Sequence, residues 1–284
     1  MAEKLVLITG ATGHQGGATL RHLAKHGGLK LRALTRKPDS DAAKALAALG
    51  AEIVAGDLDA AASLTRALDG AWGVYSVQNT WEAGVEKEEA QGKRLAQLAR
   101  DQNVQHFVYA SVGSAHKATG IPHFDNKFRV EQTVKALGFP SYAIIRPVFF
   151  MENLLTPWSL AGDKLTFSLA PHTKLQMIAA DDIGKFGAKA FVDAEATKHV
   201  ERDIAGDAVT MIEAAAALSP VVGKTLTYQQ IPIDVVRQQS EDVALMVEWF
   251  EKVGYSADIA TQEQRFGTHA LTFAEWVRTL PSGK

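Results

Sequence analysis

The chain has 284 residues, 46% apolar and 22% charged, with a formal net charge of −2, an ordinary globular balance that gives no reason to expect nucleic acid or an anionic membrane as a partner. It contains no cysteine, which excludes disulfides, thiolate catalysis and thiolate metal sites. No apolar run approaches the roughly 18 residues a spanning helix needs, and Met1-Ala2-Glu3-Lys4 leads into the first apolar run without a signal-peptide pattern, so the sequence reads as cytoplasmic.

The run Leu5-Val6-Leu7-Ile8 predicts a buried strand over about 4–9. Thr9-Gly10-Ala11-Thr12-Gly13-His14-Gln15-Gly16-Gly17 follows, and then a helical pattern over about 14–26 carrying Ala18, Leu20, Leu23 and Ala24. Strand, glycine turn and helix start together form a device for holding a dinucleotide pyrophosphate. The glycines let a phosphate approach bare backbone, and the helix N-terminus offers unpaired N–H groups and a positive dipole end. The spacing is G-x-x-G-x-x-G, one residue wider than the common fingerprint. His22 and His26 lie four apart on this helix, a metal-capable spacing, but nothing nearby completes a ligand set, so they read as a solvated pair and no metal is expected.

The next strand, 30–35, ends in Thr35-Arg36-Lys37-Pro38. NAD-preferring sites place a carboxylate there for the ribose 2′-hydroxyl. Two cations stand here instead, the arrangement that grips a 2′-phosphate, so the coenzyme expected is NADP(H). Helical patterns at 41–49 and 60–69 stop before Gly50 and Gly70, each where a left-handed cap fits. Between them, a strand at 51–55 ends in Gly56-Asp57-Leu58. Asp57 reads equally as an adenine contact or, with Asp59, as a helix N-cap. Strands at 72–77, 104–110 and 141–146 alternate with helices at 85–102 and 123–137. The strands are continuous apolar runs such as Phe107-Val108-Tyr109-Ala110, the pattern of strands covered on both faces. An α/β, Rossmann-type, doubly wound parallel sheet follows.

Beyond about residue 150 the alternation loosens, and Pro157, Pro171, Pro220 and Pro232 punctuate short segments. Asp181-Asp182 reads as an N-cap. One amphipathic helix is expected at 239–254, with Val243, Met246, Val247 and Phe250 on one face, and a last helix after Thr272 carries Phe273, Trp276 and Val277. The chain thus divides into an NADP(H)-binding part, 1–150, and a smaller α+β lobe, 151–284, with some segments packing back on the sheet.

Taken together, Gly10-Ala11-Thr12-Gly13-x-x-Gly16-Gly17, Thr35-Arg36-x-Pro38, Gly56-Asp57 and His123-Phe124-Asp125-x-Lys127 resemble the NmrA-like branch of the atypical short-chain dehydrogenase/reductases. Val77-Gln78-Asn79-x-Trp81-Glu82 and Glu152-Asn153-Leu154-Leu155 look like further segments of its NADPH-sensing type. The resemblance covers nearly the whole chain and fades between about 195 and 265. It implies that Gly10, Ala11, Thr12, Gly13, His14, Gln15 and Gly16 cradle the pyrophosphate, and that Arg36, Lys37 and Ser40 meet the 2′-phosphate. Asp57 and Leu58 would flank the adenine, and Gln78, Asn79 and Thr80 the ribose side. Lys127 would face the nicotinamide ribose, with Phe150, Met151, Glu152 and Asn153 closing over the nicotinamide end.

Typical short-chain reductases use a Tyr-x-x-x-Lys pair whose tyrosine donates the proton as hydride arrives. Here His123 holds the tyrosine's place four residues before Lys127, on one helix face. His123 is a candidate acid; the blander reading keeps Lys127 as a ribose ligand and assigns no proton donor. Ser111 stands where such enzymes polarise a substrate carbonyl, whereas Tyr109 reads as packing. Phe149, Phe150, Met151, Trp158 and Phe167 are candidates for a flat apolar pocket or for core. The expected function is a coenzyme-responsive redox sensor or regulator with little or no turnover, with a protein partner or a homodimer in view. The alternative is an NADPH-dependent reductase of quinones or related carbonyl compounds. An epimerase or dehydratase of a nucleotide sugar fits poorly without the tyrosine.

Overall fold

The computed structural model describes residues 3–281, so the reading of Met1-Ala2 and the outer ends of the two parts lie outside the described residues. In chain order β1 (Leu5–Ile8) runs into α1 (His14–His26), β2 (Lys30–Thr35) into α2 (Asp41–Ala48), and β3 (Glu52–Ala55) into α3 (Ala61–Leu68). After β4 (Ala71–Ser76) come the one-turn α4 (Thr80–Ala83) and the long α5 (Val85–Asp101). β5 (His106–Ala110), α6 (Pro122–Ala136) and β6 (Ser141–Pro147) complete the alternating part.

The remainder holds β7 (Phe149–Phe150), β8 (Leu160–Ala161), β9 (Lys164–Phe167), β10 (Leu175–Ile178) and α7 (Ala180–Val192). Then follow β11 (Val200–Ile204), β12 (Asp207–Val209), α8 (Met211–Val222), β13 (Thr227–Gln230), α9 (Ile233–Gln239), α10 (Glu241–Lys252), α11 (Ile259–Phe266) and α12 (Phe273–Thr279).

Seven parallel strands form the central sheet in the order β11-β6-β5-β4-β1-β2-β3. This is the doubly wound order 3-2-1-4-5-6 extended by one strand, and it reverses direction between β1 and β4. Such a switch point, at the carboxyl ends of the strands, is where open α/β sheets form the crevice that binds their ligands. Val6, Ile8, Val74, Tyr75, Phe107 and Val108 are buried between two helical layers, which is why these strands carry no polar alternation. Two small three-stranded sheets, β12-β10-β7 and β13-β9-β8, build the rest of the lobe.

The second half is tied into the first. β11 pairs with β6, Val200 opposite Ala143. α7 lies directly on α1: a methyl placed on Gly184 would sit 2.4 Å from the Ala18 Cβ, and one on Gly187 2.5 Å from Thr19 Oγ1. Only glycine permits that approach.

Two local expectations are corrected. Asp181 and Asp182 lie inside the first turn of α7, whose N-cap position is Ala179; the Ala180 N–H is instead taken by the distant carboxylate of Glu152, at 2.9 and 3.0 Å. The helix expected at 239–254 is α10, capped by Ser240, which is extended and whose Oγ accepts from Val243 N at 3.3 Å. Neither Asp57 nor Asp59 caps α3, whose N-cap position is Ala60; Asp57 Oδ1 instead accepts from Asp59 N at 2.9 Å in a local turn. Gly50 and Gly70 do adopt positive φ, +88° and +69°.

Candidate functional site

At the end of β1 the chain turns at Gly10, with φ +57°, so tightly that a methyl there would meet Val77 Cγ1 at 2.6 Å. One turn into α1, a methyl on Gly16 would lie 2.4 Å from Thr9 O and 2.5 Å from Gly10 O, both backbone, which no side-chain motion relieves. Gly13 N donates to Gly10 O at 2.9 Å and holds the loop closed. Ala11 is buried beneath it, while Thr12, Gly13 and His14 face solvent. Among the described residues no side chain caps α1 at Gly13, so its first N–H groups stand available at a positive dipole end. Gln15 Oε1 and, across the crevice, Gln78 Oε1 are buried without a hydrogen-bond partner among the described residues. A glycine cradle and an uncapped helix start fit a dinucleotide pyrophosphate; the two orphaned amide oxygens are acceptors and suit hydroxyl donors instead.

On the β2 side of the crevice, the Arg36 guanidinium is paired with Glu82 of α4, both side chains about half exposed. Lys37 N donates to Thr35 Oγ1 at 3.1 Å, and Ser40 caps α2 by accepting from Ala43 N at 3.3 Å. Asp57 and Leu58 lie just beyond β3, and the Leu58 carbonyl accepts from Arg94 at 2.7 Å. The expected 2′-phosphate and adenine residues therefore stand together at one end of the crevice.

The opposite end is organised by Glu88 on α5, a residue missed in the sequence. Its carboxylate, 1% exposed, accepts from Lys127 Nζ, from Thr80 Oγ1 and, at 2.8 Å, from Asn126 Nδ2. Burial pushes the Glu88 carboxyl up, but the Lys127 ammonium and these hydrogen bonds outweigh it and hold the group below the usual carboxylate range. One carboxylate thus fixes both Thr80 and Lys127. Asn79 caps α4 through Trp81 N at 3.1 Å, and Gln78 donates to Ser76 Oγ at 3.0 Å.

His123, one turn ahead of Lys127 on α6, is bonded through Nδ1 to Asp242 of α10. Its ring packs 5.1 Å from the Trp81 ring and 4.8 Å, edge to face, from Phe124. Ser111 is buried and gives its hydroxyl to Glu131, which Arg146 holds bidentately at 2.8 and 2.6 Å. Tyr109 is fully buried, and burial together with the charges of Glu88 and Glu131 keeps its phenol protonated.

Of the closing segment, Met151 is core, Phe150 is half-buried, Asn153 is exposed and Glu152 caps α7. The expected aromatic pocket is not assembled. Phe149 packs with Phe167 and Phe250 inside the lobe, whereas Trp158 is 80% exposed. His22 bonds Asp181 at 3.0 Å and His26 the Gly27 carbonyl at 3.0 Å, and no metal-capable cluster occurs among the described residues. Nor, among them, is any helix long and apolar enough to cross a membrane.

Known proteins bear on this geometry. An NmrA-like family domain-containing protein of Dictyostelium discoideum is 28% identical over 269 residues, 89% of each chain. Relatives from Cladobotryum and Aspergillus named NmrA-like family domain-containing oxidoreductases align over about half of their own length, 48% in two cases. Among solved structures, NADPH-dependent quinone oxidoreductase QOR2 from Escherichia coli, complexed with NADPH, superposes with a TM-score of 0.81 at 24% identity, covering 97% of this chain and 99% of that one. NmrA, a negative transcriptional regulator in complex with NADP, gives 0.78 at 19%, covering 98% and 95%. The model of the NmrA-like family matches residues 2–277, and the chain belongs to that family.

Proposed function

We propose that the chain binds NADP(H) and acts as a coenzyme-responsive regulator with little turnover of its own. The observation that carries this reading is that three charged or titratable side chains of the site are bonded to other elements: Arg36 to Glu82, Lys127 to Glu88, and the candidate acid His123 to Asp242 of the lobe. Coenzyme contacts at these groups exchange bonds between elements, so occupancy is converted into a change in how α4 and the lobe are held. A ligand shifts such an equilibrium by its differential affinity for the two arrangements. The glycine cradle would hold the pyrophosphate, Arg36 the 2′-phosphate, and Lys127 the nicotinamide ribose. NADP-bound NmrA, with the same fold, supports the reading by analogy.

A second reading, reduction of quinones or related carbonyl compounds, draws on one specific feature. His123 with Asp242 on Nδ1 is an acid–base unit in the tyrosine's place, the carboxylate fixing the ring so that Nε2 handles the proton. Bound NADPH supplies hydride, which quinones accept with little acid assistance.

The test is calorimetry with NADP⁺ and NAD⁺, alongside turnover of NADPH against a quinone and aldehyde panel for the wild type and Lys127→Ala. The regulator reading expects tighter NADP⁺ binding, a coenzyme-dependent change in hydrodynamic size and no turnover above background. Turnover that disappears in Lys127→Ala overturns it in favour of the reductase. Tighter binding of NAD⁺ overturns the assignment of Arg36.

A further inference from the structure

We propose that Glu82 is the residue through which this site converts the presence of a coenzyme 2′-phosphate into a change of shape, by holding α4 as a strap that only the 2′-phosphate releases. The inference rests on the NADP(H) reading above and specifies how occupancy is read.

Every side chain of the segment 79–82 is committed, and to different parts of the molecule. Asn79 caps the turn, Thr80 is fixed to the buried Glu88, Trp81 lies on His123, and Glu82 reaches Arg36 at the end of β2. A four-residue helix therefore runs from the lysine–histidine side of the crevice to the arginine side. It ends at Gly84, whose φ of +81° and open surroundings mark a joint before α5.

The two ends of the strap are unequally held. Thr80 sits on a carboxylate that is almost wholly buried, whereas the Arg36–Glu82 pair is exposed at 59% and 51%. Exposed pairs are weak and screened. Lys87 is held at this corner by Asp59, at 2.7 Å, whose carboxylate keeps its ammonium above the usual lysine range against the charge of Arg36.

A 2′-phosphate of nearly two negative charges at Arg36 outcompetes one carboxylate for the guanidinium and repels Glu82. Freed at that end, α4 pivots about Thr80 and lifts Trp81, 64% exposed, from His123. NAD(H) presents only a hydroxyl there. It leaves Glu82 on Arg36 and the strap in place.

The chain holds five tryptophans, so 5-fluorotryptophan labelling and fluorine NMR read the strap directly, with the Trp81 resonance assigned by its loss in Trp81→Phe. Saturating NADP⁺ is expected to move that resonance and saturating NAD⁺ to leave it in place, with saturation established by calorimetry. In Glu82→Gln, and independently in Arg36→Gln, the resonance is expected at the released position before any coenzyme is added. Glu82→Gln should also bind NADP⁺ about three- to tenfold more tightly, with NAD⁺ affinity unchanged. NADP⁺ uptake with an unmoved Trp81 resonance overturns the strap alone and leaves the coenzyme reading standing; so does a Glu82→Gln variant identical to wild type in both readouts. An equal displacement by NAD⁺ also overturns it. Absence of NADP⁺ uptake in calorimetry overturns the coenzyme reading and the strap with it.

Discussion

The two ends of the crevice hold their charges in opposite ways. At the Arg36 end a single carboxylate meets a single guanidinium in solvent, and the pair exchanges cheaply. At the Lys127 end one buried carboxylate accepts from three donors on two other elements, a network that is strong only while complete. The difference teaches a division of labour: the buried end is preorganised before any ligand arrives, while the exposed end is free to respond to one.

Glu88→Gln should break that contrast most severely. It leaves the Lys127 ammonium, 12% exposed, without its counter-charge, and unfolding stability should fall by about 3 kcal/mol. Adding Lys127→Met should restore most of the loss. Denaturant unfolding of both variants decides; a single-variant loss under about 1 kcal/mol would show the buried end to be no firmer than the exposed one.

A buried group outside the crevice calibrates the comparison. Burial pushes His106 down to about 4 from 6.5, with its ring between Trp72 and Phe191 and Nδ1 at 2.8 Å from Ser141 Oγ. Its folded value lies below its unfolded value, so the unfolded chain binds the extra proton between the two. Stability is therefore lost as pH falls from 6.5 towards 4, by about 3 kcal/mol from this group. Stability–pH curves of the wild type and His106→Gln, subtracted, isolate it; parallel curves would refute the assignment.

The smallest effect on stability belongs to Arg36→Gln, under about 1 kcal/mol, although NADP⁺ affinity should fall about 10- to 100-fold and NAD⁺ affinity hardly at all. Equal losses for both coenzymes would mean that Arg36 serves the fold or the shared diphosphate instead.

Much of the first half was legible because its signals are local. The apolar runs, Gly50 and Gly70 at helix ends, and the turn at Gly10 each carry their reason within a few residues. Arg36 and Lys127 were singled out by motif spacing alone, and the structure shows the partners each one has, Glu82 and Glu88. Glu88, Asp242 and Glu82 were not legible: each is an ordinary surface-type acid in sequence, and each acquires a role only from a partner 39, 119 or 46 positions away. The cap of α7 was misread for the same reason, since Glu152 reaches it from a different element.

The contact of Gly184 and Gly187 with Ala18 and Thr19 makes the nucleotide half a tenant of the other. The tilt of α1 decides where the loop amides aim, and the surface against which that helix is levelled comes from beyond residue 180. A fragment cut after β6 would keep every glycine of the motif yet lose the anvil on which they are aligned.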